Sequence, residues 1–230
     1  MNDKKLLVAD LGLIDYVECR GLQLKLVNLR AEKRIPDVLL LLEHSHIITL
    51  GRRSDESDAR KIDGIPVLKV DRGGRATYHG PGQLVGYMII DLIEFGADVK
   101  TFVHLIEEAI IRTLKRFGLM DADRREGYPG VWIKKRKIAS IGLGIKHWIT
   151  YHGFALNVNT DLKYFELINP CGLNPNTMTS MERELGKRVD MREVKNSFLE
   201  NFAETFGYGE MRKIGLESLF RANSESLKIS

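Results

Sequence analysis

No apolar run in this chain approaches the roughly 20 residues that a membrane-spanning helix needs. The start, Met1-Asn2-Asp3-Lys4-Lys5, carries charge but no signal-like apolar region ending in a small-residue cleavage site. The expectation is a cytoplasmic protein. Cysteine is scarce: only Cys19 and Cys171, far apart, and neither in a C-x-x-C pair. That excludes a four-cysteine zinc site and, in a reducing compartment, disfavours a disulfide. What remains is a catalytic or a buried thiol. A Gly-Lys-Ser/Thr phosphate loop and a G-x-G-x-x-G dinucleotide fingerprint are both missing, as are internal repeats and low-complexity tracts. The charge excess is small, +4 with a pI of about 9.0, so charge alone selects no partner class.

What is present suits a globular protein. The 230 residues are 43% hydrophobic and 29% charged, enough for one large core or a main domain with a small appendage. Asp15 to Arg34 reads as a helix capped by Asp15 and stopped by Pro36. Val38–Leu42, His46–Leu50, Val67–Val70 and Tyr87–Leu92 read as short strands. Val99 to Phe117 has helical apolar spacing with Gly118 at its C-terminal end. Val131–Ile133 and Lys137–Ile141 form the arms of a hairpin, Trp148–Val158 is further strand, and Pro170–Ser180 is loop. Met191–Phe206 is an amphipathic helix capped by Asp190. Strands come in clusters with helices between them, which predicts an α/β protein with a mixed sheet. The last eight residues or so are polar and expected to be loose.

Four segments carry glycine among groups able to do chemistry. The first is Asp-Arg-Gly-Gly-Arg-Ala-Thr-Tyr-His-Gly-Pro-Gly-Gln-Leu-Val-Gly-Tyr, residues 71–87. Glycine admits close approach of a ligand to backbone, although a surface hairpin loop has a similar composition. The second and third, Lys137–Gly142 and Tyr151–Val158, place small residues inside strands. Interior glycine marks either a ligand or tight packing. The fourth is Asn169-Pro170-Cys171-Gly172-Leu173. Cys171 thus stands on a loop with glycine behind it, whereas Cys19 lies on the apolar face of a helix and reads as structural. His44-x-His46 has no third ligand in an evident motif and reads as ordinary strand-end histidines rather than a metal site.

Together these segments resemble the lipoate–protein ligase B family, the octanoyl-[acyl-carrier-protein]–protein N-octanoyltransferases. The matching residues are Arg72-Gly73-Gly74, Thr77-Tyr78-His79, Gly82-Gln83 and Tyr87, then Lys137-Ile138-Ala139 with Gly142, His152 to Asn157, and Pro170-Cys171-Gly172 with Thr179-Ser180. Upstream, Glu43-His44 and Thr49-Leu50-Gly51-Arg52 also fit. Two departures are small: Met88 follows the tyrosine where proline is usual, and Ser45 stands where proline is common.

The resemblance implies the biotin/lipoate ligase-like (class II aminoacyl-tRNA synthetase-like) fold, with residues 1–230 forming a single catalytic domain. It implies a catalytic pair, Cys171 and Lys137. It also implies an acyl pocket lined by Arg72, Gly73, Gly74, Arg75, Ala76, Thr77, Tyr78 and His79, by Ser140, Ile141 and Gly142, and by Gly153, Phe154 and Ala155. The donor would be octanoyl-acyl carrier protein. The acceptor would be a lysine of the lipoyl domains of 2-oxoacid dehydrogenase complexes and of the glycine cleavage H protein. No metal, cofactor, nucleic acid or membrane is implied. A thioester is already activated, so ATP is unnecessary. A free thiol with a pKa near 8.5 is only a few per cent thiolate at neutral pH. An ammonium about 4 Å away, at an effective dielectric near 20, contributes roughly 4 kcal/mol toward ionising it. Burying about six methylenes of the chain contributes roughly 5 kcal/mol. A basic rim of Arg52, Arg53, Arg124, Arg125 and Lys134 to Lys137 would speed encounter with an acidic carrier.

Two other classes compete. An ATP-dependent lipoate or biotin ligase would share the fold, but the Gly-Arg-Gly-Arg-x-Gly loop of biotin ligases is absent and such a ligase has no use for Cys171. A nucleic-acid-binding module is opposed by 31 acidic residues diluting the basic charge.

Overall fold

The computed structural model describes residues 4–59, 64–168 and 177–215. The chain opens with a strand the sequence pattern did not flag, β1 (Lys5–Ile14). It is followed by α1 (Tyr16–Ala31), whose cap Asp15 accepts the N–H groups of Val17 and Glu18. The helix ends three residues short of Arg34, where Lys33 takes a left-handed φ of 56° that no helix propagates. Next come β2 (Asp37–His44), β3 (Ile47–Leu50), β4 (Val67–Lys69), β5 (Ala76–His79) and β6 (Gln83–Ile89). Then follow α2 (Val99–Arg116), β7 (Ala122–Arg124), β8 (Gly130–Ile133), β9 (Arg136–Lys146) and β10 (Ile149–Asn157). The C-terminal part supplies α3 (Met181–Leu185), α4 (Met191–Phe206, capped by Asp190 as expected) and β11 (Glu210–Lys213). The polar tail lies outside the described residues.

An eight-stranded sheet runs in the order β11-β1-β2-β6-β10-β9-β8-β7. β1 is parallel to both neighbours, while the ladder from β2 to β7 is antiparallel. The sheet is therefore mixed, as expected. One face packs on α2 and α4, through residues such as Leu84, Met88, Phe154, Ile106 and Phe198. The other packs on α1, through Val85, Tyr87, Ala155, Leu22 and Leu26. Because both faces are covered, β6 and β10 are buried along their whole length, which is why they lack polar alternation. A small sheet, β4-β3-β5, stands over the α1 side with its own core of Ile48, Tyr78 and Phe165. No helix among the described residues is long and apolar enough to cross a membrane.

Several interior glycines serve packing. A Cβ on Gly86 would fall 2.1 Å from the Phe154 ring, and one on Gly144 would fall 2.4 Å from the Tyr151 ring. Aromatic side chains fill the space those glycines leave.

Candidate active site

A cavity of about 670 Å³, including its open mouth, lies between the α1 face of the large sheet and the segment from Arg72 to His79. That segment is pinned from two sides. Gly73 donates its N–H to the Leu143 carbonyl on β9 (2.8 Å). The buried Arg72 guanidinium reaches back to Thr49 on β3, donating to its carbonyl and hydroxyl at 2.8 Å each. Arg72 is thus a brace for the loop as well as part of the wall. Gly142 sits under this loop, and a Cβ there would be 3.0 Å from the Gly73 carbonyl oxygen. The glycines of the first and second motifs therefore meet each other at the cavity roof.

Of the residues the family pattern nominated, Arg72, Gly73, Gly74, Arg75, Ala76, Thr77, His79, Lys137, Ser140, Ile141, Gly142, Gly153, Phe154 and Ala155 border this cavity. Tyr78 does not. Strand alternation turns its ring to the other side of β5, where it stacks on Tyr164 (4.9 Å) and its hydroxyl meets His46 Nδ1 (2.7 Å). Cys171 lies outside the described residues, as do Pro170 and Gly172.

Lys137 reaches the cavity because of a β-bulge. Ala139 pairs with Val131, but Lys137 pairs with Trp132, leaving Ile138 as the extra residue. Ile138 and Ala139 consequently both enter the core against α2 and α4, and Lys137 turns to the cavity side. Its side chain is only 7% exposed and its ammonium lies 5.4 Å from the Trp132 ring centre. The Lys137 carbonyl accepts the Thr179 N–H at 2.9 Å, and Lys137 forms a bridge with Met178. Met178 and Thr179, which follow the Cys171 segment in the sequence, thus lie beside Lys137.

A buried polar relay backs this junction. Neutral His79 donates Nδ1–H to Gln83 Oε1 (2.8 Å), Gln83 donates to Asn157 Oδ1 (3.0 Å), and Asn157 donates to the Thr179 carbonyl (3.0 Å). Burial, with His44 and Arg72 nearby, holds the His79 pKa well below the usual histidine value. His44 is set between the Ile14 carbonyl and the Tyr87 hydroxyl, 2.8 Å from each, and burial lowers its pKa to about 4. No group of three metal-ligating side chains occurs among the described residues. Cys19 is fully buried, and burial pushes its thiol up to about 12, so it stays protonated.

Not all of the expected basic rim is available. Arg124 is engaged with Glu107 and Glu108, and Arg136 makes a two-pronged pair with Glu184. Arg52, Arg53 and Arg125 are exposed, and Arg53 borders a second, open cleft that shares Lys137, Ile141 and Gly142 with the cavity. Wall residues that the sequence did not nominate are Tyr16, Tyr87, His152, Phe165 and Met178. Tyr87 and His152 stood inside recognised motifs, whereas Tyr16, one residue after a helix cap, carries no sequence signal of a site.

Comparison with known proteins identifies the family and the fold. The family model described as the lipoyl protein ligase A/B catalytic domain matches residues 15–203. A relative from Caldicellulosiruptor bescii, named octanoyltransferase, is 45% identical over 93% of this chain and 96% of its own. One of the same name from Desulforamulus reducens is 42% identical over 89% and 92%. Among solved structures, lipoate-protein ligase A bound with ATP superposes with a TM-score of 0.71 at 18% identity, covering 97% of both chains. Biotin protein ligase from Aquifex aeolicus gives 0.52 at 12% identity, over 88% of this chain and 69% of that one. The fold is therefore the one shared by lipoate and biotin protein ligases. This chain belongs to the lipoyl protein ligase A/B catalytic domain family and is an acyltransferase.

Proposed function

We propose that this protein, as a single catalytic domain, transfers an octanoyl group from acyl carrier protein to a lysine of a lipoyl domain, through a thioester on Cys171. The observation that carries the reading is the meeting of the cavity with a buried lysine whose backbone is bonded to Thr179, eight residues after Cys171 in the sequence. The names of the relatives supply the octanoyl group. In the first half-reaction, Cys171 thiolate attacks the thioester carbonyl and the carrier thiolate leaves, taking a proton. In the second, the neutral acceptor amine attacks the acyl-enzyme, an amide forms, and the thiol returns. Lys137 is assigned as the cation that favours thiolate and as the group passing protons at each departure. The methylene chain would lie between Ala155 and the glycine pair Gly73 and Gly142. The acceptors on this reading are the lipoyl domains of 2-oxoacid dehydrogenase complexes and the glycine cleavage H protein, met in the cytoplasm, with no cofactor.

Intact-mass analysis after mixing with octanoyl-acyl carrier protein tests it. One octanoyl adduct on Cys171 is expected, discharged by a lipoyl domain without ATP. Product that needs ATP and free octanoate, with no adduct, would establish the ligase alternative instead.

A further inference from the structure

A second space adjoins the acyl cavity. It is an open cleft of about 1440 Å³, including its mouth. Six residues line both spaces: Gly73, Gly74, Arg75, Lys137, Ile141 and Gly142. On the octanoyl-transfer reading the thioester carbonyl stands beside Lys137 and the acyl chain fills the cavity. The rest of the donor, beyond the sulfur, needs a further space that begins at the same lysine. The cleft begins there.

The remaining lining of the cleft is apolar and basic. Val99 and Val103 stand one turn apart on one face of α2. Leu143 of β9, Tyr128 and Pro129 complete the apolar part. Val99 and Tyr128 are 39% and 40% exposed, so apolar surface is left open to whatever enters. Among the described residues, no acidic side chain lines the cleft. Arg75 is bonded through two nitrogens to Asp58, at 3.2 Å each. Arg53 differs: its side chain is exposed and makes no ion pair among the described residues. Its backbone N–H donates to the Gly74 carbonyl at 3.1 Å, which ties it to the residues shared with the cavity.

We propose that this cleft holds the phosphopantetheine arm of the carrier protein, with Arg53 on its phosphodiester and Val99 and Val103 against its gem-dimethyl carbon. This rests on the octanoyl-transfer reading and deepens it by naming where the donor lies. The arm carries an anion at one end, a branched apolar carbon and two amides along its length, and the sulfur at the other end. An exposed guanidinium, a valine face and Lys137 match those groups. An acceptor lysine matches less well, because it arrives as an ammonium and meets charges of its own sign. In the acylation step the C–S bond to the arm breaks, the C–S bond to Cys171 forms, and the Cys171 thiol proton ends on the arm's sulfur.

The test follows acylation of Cys171 by intact mass with three small donors: octanoyl-N-acetylcysteamine, octanoyl-pantetheine and octanoyl-4′-phosphopantetheine. The second adds the gem-dimethyl portion and the third adds the phosphate. The second-order rate constant is expected to rise roughly tenfold at the first step, through burial of about two methyl groups. It should rise roughly fivefold at the second in dilute buffer, and by less in salt. Arg53→Gln should bring the phosphopantetheine-to-pantetheine ratio near one. Val99→Trp, which fills the cleft, should bring the pantetheine-to-cysteamine ratio near one. Equal rate constants for all three donors in the unaltered enzyme would overturn the inference and leave octanoyl transfer standing. A phosphate step that persists in Arg53→Gln would overturn the assignment of Arg53. If Val99→Trp keeps the donor ratios and instead slows discharge of the octanoyl-enzyme by a lipoyl domain, the cleft belongs to the acceptor and the inference falls. No adduct from any donor, the carrier protein included, would overturn the transfer reading and this inference with it.

Discussion

Lys137 occupies the space that a side chain on Gly130 would need. Gly130 pairs with Ser140 on the cavity face, and a Cβ added to it would lie 2.6 Å from Lys137 Cε and 2.3 Å from the Ala139 carbonyl oxygen. Gly130 also has a φ of 125°, which side-chain-bearing residues avoid, and its N–H is held by the buried Glu107 carboxylate at 2.9 Å.

Gly130→Ala should therefore displace Lys137. The acylation rate of Cys171 by octanoyl carrier protein, followed by rapid-quench mass analysis, is expected to fall roughly tenfold or more. The strained backbone should cost about 1–3 kcal/mol in a urea melt. Lost stability with an unchanged acylation rate would show that the position of Lys137 does not matter to the chemistry.

The two thiols should behave oppositely. Cys19 is buried and held protonated by a pKa near 12, so iodoacetamide at about pH 8 should label Cys171 alone in the folded protein. Cys171→Ala should abolish acceptor modification, and Cys19→Ala should retain it. Peptide mapping that finds Cys19 labelled first would contradict the burial argument.

Stability should drop as pH falls below about 6.5. His44 and His152 have folded pKa values of about 4, and His79 lies well below its usual value, all through burial first. Between about pH 6.5 and 4 the unfolded chain takes up protons that the folded chain refuses, so the contribution is fully present above that window and lost on descending through it. His44 and His152 each account for on the order of 3 kcal/mol across the window, and His79 adds in the same direction. Urea midpoints between about pH 6 and 5 should show an uptake of roughly two to three protons on unfolding. A flat profile there would mean that these rings are solvated.

Tyr87→Phe removes the hydroxyl that faces His44 Nε2 at 2.8 Å. The ring nitrogen would be left buried without a partner, at a cost of about 1–3 kcal/mol. A urea melt that matches the unaltered protein would indicate that water replaces the hydroxyl.

Much of the architecture was legible along the chain. α2, α4 and the β8–β9 hairpin follow from apolar spacing, a capping aspartate and a turn of charged residues. β1 was not legible: Leu-Leu-Val-Ala-Asp-Leu-Gly-Leu-Ile is nearly unbroken apolar sequence without the alternation that marks a half-exposed strand. β5 was hidden inside a glycine-rich segment that reads as loop, and its four residues gain strand form only by pairing with β3. The ring cluster of Tyr16, His44, His79, Tyr87 and His152 was equally hidden, because its members come from separate elements.

The linear sequence was sufficient to determine the family, the mixed α/β class and most of the residues bordering the cavity, because glycine and hydrogen-bonding residues at fixed spacing are a local property. The facing of Lys137 was not. Simple alternation assigns it the same side as Ala139, in the hydrocarbon between the sheet and α2. Only the pairing of β9 with β8, which forces Ile138 out of register, turns the lysine toward the cavity. Register is fixed by what two strands bury together, and no single stretch of sequence contains both.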